Sequence, residues 1–207
     1  MADITGLFAT PFMHASAALQ PDLVTSLVAH FTSQAAVVNK ASSQLAHTEM
    51  LKPSESPLLG RAVEAITPLL VDFGAAMFGE RIDWLVKEMW VNVLEHGGRQ
   101  GLHNHANSFI SGVAYLTTTH PDARTVFFKP PSGASFLFNN NHPGVVIGPF
   151  NHDQWSGPVP EPGDLVLFPS YLLHAVPPNA GVRRITLAFN AIPKQLQSGG
   201  FRIGFSG

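Results

Sequence analysis

The chain has 207 residues, 45% of them hydrophobic, and this length and composition are typical of one folded domain. Charged residues make up only 13% and the net charge is −2, which excludes a highly charged disordered tail and argues against a nucleic-acid binder. No apolar stretch reaches the roughly 18 residues of a membrane span. Cysteine is absent and there are ten histidines, so any metal ligands must come from His, Asp or Glu.

The first 80 residues have a helical pattern. After a short β-like segment at 6–12, residues 21–38 and 58–78 place apolar side chains at helical spacing, and each stretch predicts a helix. Pro68 predicts a kink or break in the second helix. We expect both helices to pack on the outer face of a β core that follows in the chain.

Beyond residue 80 the pattern is that of a mainly β protein. Candidate strands punctuated by Gly, Pro, Asn and Asp lie at 84–94, 108–118, 124–128, 136–138, 145–147, 165–168 and 185–192. Many short strands at turn spacing favour a β-sandwich or jelly roll. We expect a single domain over residues 1–207, in which residues 1–80 support a jelly-roll core at 81–193 and residues 194–207 form a C-terminal tail. Residues 139–155 are expected to form a loop over the mouth of the jelly roll, where it would govern substrate specificity.

Three histidines in the β half have a spacing that suits a metal. His103 and His105 are two residues apart, so on an extended strand both would point to one face. His174 follows a later strand and a turn, and it is the candidate third ligand. The competing interpretation of the H-x-H pair is two ordinary surface or core histidines. The other seven histidines receive no predicted role.

Arg184 and Thr186 share a face of the last candidate strand by the same rule. A guanidinium fork beside a hydroxyl is a good receptor for a carboxylate. The alternative for an arginine at the start of a strand is a solvated charge, which is our expectation for Arg183. A metal site together with a carboxylate receptor points to a metal-chelating oxo-acid, 2-oxoglutarate.

Four ordered motifs resemble the 2-oxoglutarate/Fe(II)-dependent oxygenase family of small bacterial and phage proteins. They are W-x-N at 90–92, H-x-H-x-x-S-x-x-S-G-x-x-Y-L at 103–116, F-P-S-x-x-x-H-x-V-x-P-N at 168–179 and R-I-T-x-x-F-N at 184–190. The resemblance covers residues 84–192, and more weakly the segment that begins at Gly6. It implies a double-stranded β-helix, which is a cupin-like jelly roll with the metal inside one mouth.

The resemblance also implies roles for individual residues. His103 and His174 match the two metal-binding histidines, and Arg184 with Thr186 matches the pair that binds the distal carboxylate of 2-oxoglutarate. The usual facial triad has a carboxylate where this chain has His105. Because three neutral imidazoles can hold a divalent metal, we expect His105 to be a ligand, with water in its place as the alternative.

Further cofactor-binding candidates lie on the strands expected to line the barrel. Asn92 and Asn190 are candidates to bond the oxo-acid or substrate, and Tyr115 is a candidate donor to 2-oxoglutarate. Ser111 lies where the strands are expected to approach closely beside the ligand. The alternatives are a turn-stabilising role for the two asparagines, core packing for Tyr115 and a β-bulge at Ser111. Trp90 is assigned to core packing.

The implied activity is that of an Fe(II)- and 2-oxoglutarate-dependent oxygenase, or dioxygenase, which hydroxylates a small molecule or peptide and releases succinate and CO2. Desaturation is an alternative outcome. Two other classes compete: a cupin-like three-His dioxygenase that does not use 2-oxoglutarate, and a non-catalytic jelly-roll binding module. We expect no nucleic-acid or membrane partner, a cytoplasmic location, and a surface with room for a homodimer contact.

Overall fold

The structure is a computed structural model that describes residues 2–35, 37–40, 42–130, 140 and 142–205. Its helices are α1 (Pro21–Phe31) and α2 (Pro57–Phe78). The strands of the described ranges are, in chain order, β1 (Met13–Ala15), β2 (Val37–Asn39), β3 (Ser42–His47), β4 (Trp84–Leu94), β5 (Gln100–His103), β6 (Ile110–Tyr115), β7 (Val126–Phe128), β8 (Gln154–Ser156), β9 (Leu165–Pro169), β10 (His174–Val176), β11 (Arg184–Pro193), β12 (Gln195–Ser198) and β13 (Phe201–Gly204).

Two antiparallel sheets form the core of the protein. The larger has seven strands in the order β1-β9-β6-β11-β4-β3-β2, and the smaller has four in the order β5-β10-β7-β8. Strands β12 and β13 pair with each other in a separate hairpin. The predicted mainly β jelly roll with helices outside is confirmed. No helix in the described part of the chain is long and apolar enough to cross a membrane.

Strand β11 is buried along its whole length because both of its faces are covered. Ile185, Leu187 and Phe189 point towards α1 and α2 and belong to the main hydrophobic core. The residues between them point to the opposite side of the sheet. The strand therefore alternates between apolar residues on the helix-covered face and Arg184, Thr186 and Asn190 on the other face.

Both predicted helices are present, but α1 is shorter than predicted and α2 has no break at Pro68. α1 ends at Phe31 and a short 3-10 turn follows, so the predicted extension of this helix to residue 38 is wrong. α2 continues through Pro68 without a break. Because Pro68 is on the exposed side, the carbonyl that loses its partner can bond water, while buried Ile66 and Leu70 anchor the helix on either side.

Several strand boundaries also differ from the prediction. Residues 6–12 and 145–147 are not strands, and the predicted strand at 108–118 is limited to β6. Residues 136–138 lie outside the described residues. Residues 195–204, expected within a tail, form the β12–β13 hairpin. The pattern also failed to predict the β2–β3 hairpin, which pairs with β4 and extends the large sheet.

Candidate active site

Three histidine rings converge inside the jelly roll. His103 ends β5 and His174 begins β10, and the two residues are direct partners in the antiparallel pairing of these strands. His105 lies just beyond the end of β5, where its backbone N–H donates to the carbonyl of Ser170 (3.0 Å). One ring nitrogen from each histidine lies within 4.8 Å of the other two. The structure therefore brings together the three predicted residues, although His105 reaches the cluster from the loop after β5 and not from a strand.

Hydrogen bonds to backbone carbonyls orient two of these rings. Nδ1 of His103 lies 2.8 Å from the carbonyl of Gly101, and Nδ1 of His174 lies 2.9 Å from the carbonyl of Leu172. Since a carbonyl can only accept, Nδ1 carries the proton in each neutral ring and Nε2 retains its lone pair. Metal-binding histidines are commonly oriented in this way.

The cluster is neutral at physiological pH. Burial lowers the pKa of His105 to about 4 and that of His174 to about 3, and in both cases repulsion between neighbouring protonated rings adds to the effect. Burial also lowers the pKa of His103. Neutral imidazole is the form that binds a metal, so the three rings need not lose protons before binding one. Such a nitrogen donor set suits divalent iron as well as zinc, copper or nickel.

Arg184 is a buried cation at the start of β11. The residue is 4% exposed, its Nε has no hydrogen-bond partner, and none of the ion pairs in the described part of the chain includes it. Its guanidinium carbon lies 5.1 Å from the centre of the Tyr115 ring. Burial lowers the pKa of the guanidinium, while Tyr115 opposes that shift. A buried cation without a counter-charge is costly, so the site is suited to an anionic ligand.

One cavity of about 340 Å³ contains both the histidine cluster and Arg184. One wall is built by alternate residues of two neighbouring strands, because side chains two apart on a strand share a face. The wall comprises Glu88, Trp90, Asn92 and Leu94 from β4 and Arg184, Thr186, Ala188 and Asn190 from β11. These residues also pair across the strands, with Thr186 opposite Asn92 and Asn190 opposite Glu88.

Seven of the nine predicted site residues line this cavity. The two others, Tyr115 and Ser111, are buried beside residues that do. The Tyr115 hydroxyl lies 3.2 Å from Thr125 Oγ1, and the Ser111 hydroxyl donates to Asn190 Oδ1 (2.8 Å). The predicted cofactor-binding role of Tyr115 and Ser111 stays a prediction, since each hydroxyl already has a protein partner.

Trp90, Glu88 and His47 are among the cavity side chains that the sequence interpretation did not assign to the site. Trp90 was assigned to the core, but it is only partly buried and its ring centre lies 5.5 Å from that of His105. Glu88 and His47 also line the cavity and had no predicted role. The two-residue period of a strand, counted back from Asn92, would have found Trp90 and Glu88. No signal pointed to His47, because β3 was not predicted.

The loop expected over the mouth lies elsewhere. The described residues of this segment, 140 and 142–155, contribute nothing to the lining of the histidine cavity. Phe150 and Trp155 instead line a separate cavity of about 630 Å³ together with the N-terminal residues 5–10. The β2–β3 hairpin borders the histidine cavity in place of that loop, so the predicted lid is wrong for the described residues.

Comparison with known proteins gives one family match and many similar structures. Residues 88–190 match the family model described as "Putative 2OG-Fe(II) oxygenase".

HygX from Streptomyces hygroscopicus, solved with nickel and 2-oxoglutarate bound, has a TM-score of 0.60 and 14% identity, covering 89% of this chain and 83% of HygX. A Pseudomonas putida prolyl-4-hydroxylase has a TM-score of 0.59 and 19% identity, covering 87% and 92% of the two chains. The alpha-ketoglutarate-dependent epimerase SnoN from nogalamycin biosynthesis has a TM-score of 0.65 and 12% identity, covering 90% and 80%. No curated protein matches the chain with significance.

Proposed function

Because this chain belongs to the 2OG-Fe(II) oxygenase family, as its motifs predicted, we propose that it is a 2-oxoglutarate-dependent oxygenase that hydroxylates a small molecule or a peptide. One observation carries the proposal. Three neutral imidazoles and a buried guanidinium with an unpartnered Nε line the same cavity. The imidazoles suit a divalent metal and the guanidinium suits a carboxylate, and 2-oxoglutarate offers one end that chelates a metal and another that carries a carboxylate.

Each proposed ligand has its own residues. His103, His105 and His174 would hold Fe(II) through one ring nitrogen each. Arg184, with the Thr186 hydroxyl beside it, would hold the distal carboxylate of 2-oxoglutarate. Bound together, Fe(II) and 2-oxoglutarate supply the oxidising chemistry, in which O2 and 2-oxoglutarate are consumed and succinate and CO2 are released.

The protein's own contribution is orientation and exclusion of water. The carbonyls of Gly101 and Leu172 hold the rings of His103 and His174 in one tautomer, so that Nε2 faces the cluster. The burial of Arg184 strengthens its attraction for a carboxylate, because little water screens the charge. The apolar side chains of Leu94, Val113 and Val176 line the cavity and leave water few partners near the reacting groups.

Anaerobic addition of Fe(II) and 2-oxoglutarate tests the assignment of the site. We expect a visible charge-transfer band that requires both, and a loss of about tenfold to a hundredfold in 2-oxoglutarate affinity for Arg184→Ala, since hydrogen bonds to a charged group contribute about 1.5–3 kcal/mol. Arg183→Ala is the matched control, because Arg183 is exposed and bonds Glu95. A band that is unchanged in Arg184→Ala would contradict the assigned carboxylate site.

The reaction is tested by its products. In air, the Fe(II)-loaded protein should release succinate from 2-oxoglutarate, and a compound that is oxidised should raise that rate. Mass spectrometry of the product separates hydroxylation, which adds an oxygen atom, from desaturation, which removes two hydrogens. Oxidation of a chelating compound without 2-oxoglutarate would support the three-His dioxygenase instead.

A further inference from the structure

A buried chain of hydrogen bonds ends on a carboxylate in the cavity. Asn190 Nδ2 donates to Glu88 Oε1 (2.9 Å), and Asn190 Oδ1 accepts from the Ser111 hydroxyl (2.8 Å). The Ser111 hydroxyl lies 2.9 Å from that of Ser170. Since Ser111 uses its proton towards Asn190, Ser170 must donate to Ser111. Ser111, Ser170 and Asn190 are all at most 3% exposed, so Glu88 is held from behind by a fully buried polar series.

The arrangement leaves one oxygen of Glu88 for a ligand. Asn190 and the more distant Lys87 Nζ (3.5 Å) both approach Oε1. No hydrogen bond from the described residues reaches Oε2. The Glu88 side chain is 28% exposed, although it belongs to the cavity wall. An ionised carboxylate accepts through both oxygens, so Oε2 is available to a donor that enters the cavity.

The charge of Glu88 also sets it apart from the other residues that line the cavity. Among the described residues that line the cavity, Glu88 is the one acidic side chain and Arg184 is the one Lys or Arg. Arg184 is fully buried beside Tyr115, whereas Glu88 is partly exposed and two residues from Trp90 on the same face of β4. A carboxylate and a tryptophan ring on one cavity wall are a suitable receptor for an ammonium group, which is attracted by both.

We propose that Glu88 and Trp90 bind a cationic amine of the substrate and so select amine-bearing compounds. The inference rests on the proposed function, because it takes the guanidinium end of the cavity to be filled by 2-oxoglutarate. The two ends then bind opposite charges, and the histidine cluster lies in the same cavity as both. Glu88 also disfavours anionic compounds, since a carboxylate placed against it would be repelled.

The test compares compounds that differ only in the group offered to Glu88. The probes are 2-phenylethylamine, 2-phenylethanol and phenylacetate, with pentylamine, 1-pentanol and pentanoate as an aliphatic set. Binding is read by ligand-detected NMR on the protein with Fe(II) and 2-oxoglutarate under nitrogen, and on the protein alone. We expect the amines to bind about tenfold or more tightly than the matched alcohols, with the acids weakest.

Glu88→Gln is the decisive variant because glutamine keeps the shape and can still accept from Asn190. It should reduce the preference for amines to about threefold or less while retaining the Fe(II)–2-oxoglutarate band. Glu95→Gln is the matched control, since Glu95 is exposed and bonds Arg183 outside the cavity. It should keep the full preference.

The outcomes separate this inference from the function on which it rests. A normal band without any preference for amines, or with a preference that Glu88→Gln retains, overturns the amine site and leaves the oxygenase proposal standing. A band that is lost in Glu88→Gln also overturns it, because Glu88 would then serve the metal and not the substrate. Absence of the band in the unaltered protein overturns the oxygenase proposal, while the NMR comparison on the protein alone still decides whether Glu88 binds amines.

Discussion

The two faces of the large sheet are built from the same strands but have opposite properties. On the face covered by α1 and α2, β4 and β11 present residues such as Val91, Leu187 and Phe189, which pack into the main core. On the other face they present Asn92, Thr186 and their other cavity residues, such as Glu88 and Asn190. One face supplies burial of apolar area, and the other supplies polar groups fixed in position. Stability and chemistry are therefore separable by single substitutions one residue apart.

The largest effect is expected at the histidine cluster, which lines the cavity from the smaller sheet. His174→Ala removes a proposed ligand, so we predict that Fe(II) binding and succinate release fall by about 100-fold or more, as expected when an essential ligand is lost. The thermal midpoint without metal should also fall, because the buried His174 ring packs against Phe168 and Phe127, so metal binding is compared below the unfolding transition of the variant. Metal analysis and circular dichroism measure the two quantities. His96→Ala is the control, since His96 is exposed and outside the cavity.

The converse effect, a loss of stability with the site retained, is expected on the helix-covered face of the large sheet. Phe189 is fully buried, and Phe189→Ala should lower the free energy of unfolding by about 3–5 kcal/mol, through lost burial and the cavity that remains. At urea concentrations below its unfolding transition, this variant should still bind Fe(II) and 2-oxoglutarate. Urea denaturation and the charge-transfer band check the two statements. A folded variant without the band would show that the faces are not independent.

A smaller, pH-dependent effect is expected at Asp164, which tethers the N-terminal segment. Burial raises the pKa of this carboxyl, but hydrogen bonds from the backbone of Ala17 and Glu161 and from His14 outweigh it, and the net pKa is lowered. Because the pKa of Asp164 is lower in the folded protein than its value of about 4 in the unfolded chain, the ionised carboxylate stabilises the folded protein at pH values above about 4. This stabilisation is lost as the pH falls through the pKa of the folded protein.

Asp164→Asn tests this tether. At pH 7 the free energy of unfolding should fall by about 1–3 kcal/mol, because the charge-assisted bonds are weakened. The difference should shrink as the pH falls through the pKa of the folded protein, since the carboxyl then becomes protonated in both states. Denaturation at a series of pH values measures the difference. A difference that stays constant with pH would rule out the charge of Asp164 as its cause.

Much of the fold and site was predictable because both follow local rules. The two helices and most long strands have a clear apolar period, and His103, Arg184 and Thr186 stand out by type and spacing. The predictions that failed concern segments whose structure depends on contacts between residues distant in the sequence. The β2–β3 hairpin has a weak pattern of its own and forms against β4. The described residues of the segment expected as a lid lie beside the N-terminal residues and do not line the histidine cavity.

The sequence by itself determined the alternation along β4 and β11, the absence of thiol ligands and the three histidines with metal-binding spacing. Only the tertiary structure decided which residues share the cavity. His47 joins the histidines because β3 pairs with β4 beside them, and no local pattern records that pairing. Burial is likewise a property of the assembled fold. It keeps the imidazoles neutral and leaves Arg184 Nε without a protein partner, and these two features give the cavity its proposed chemistry.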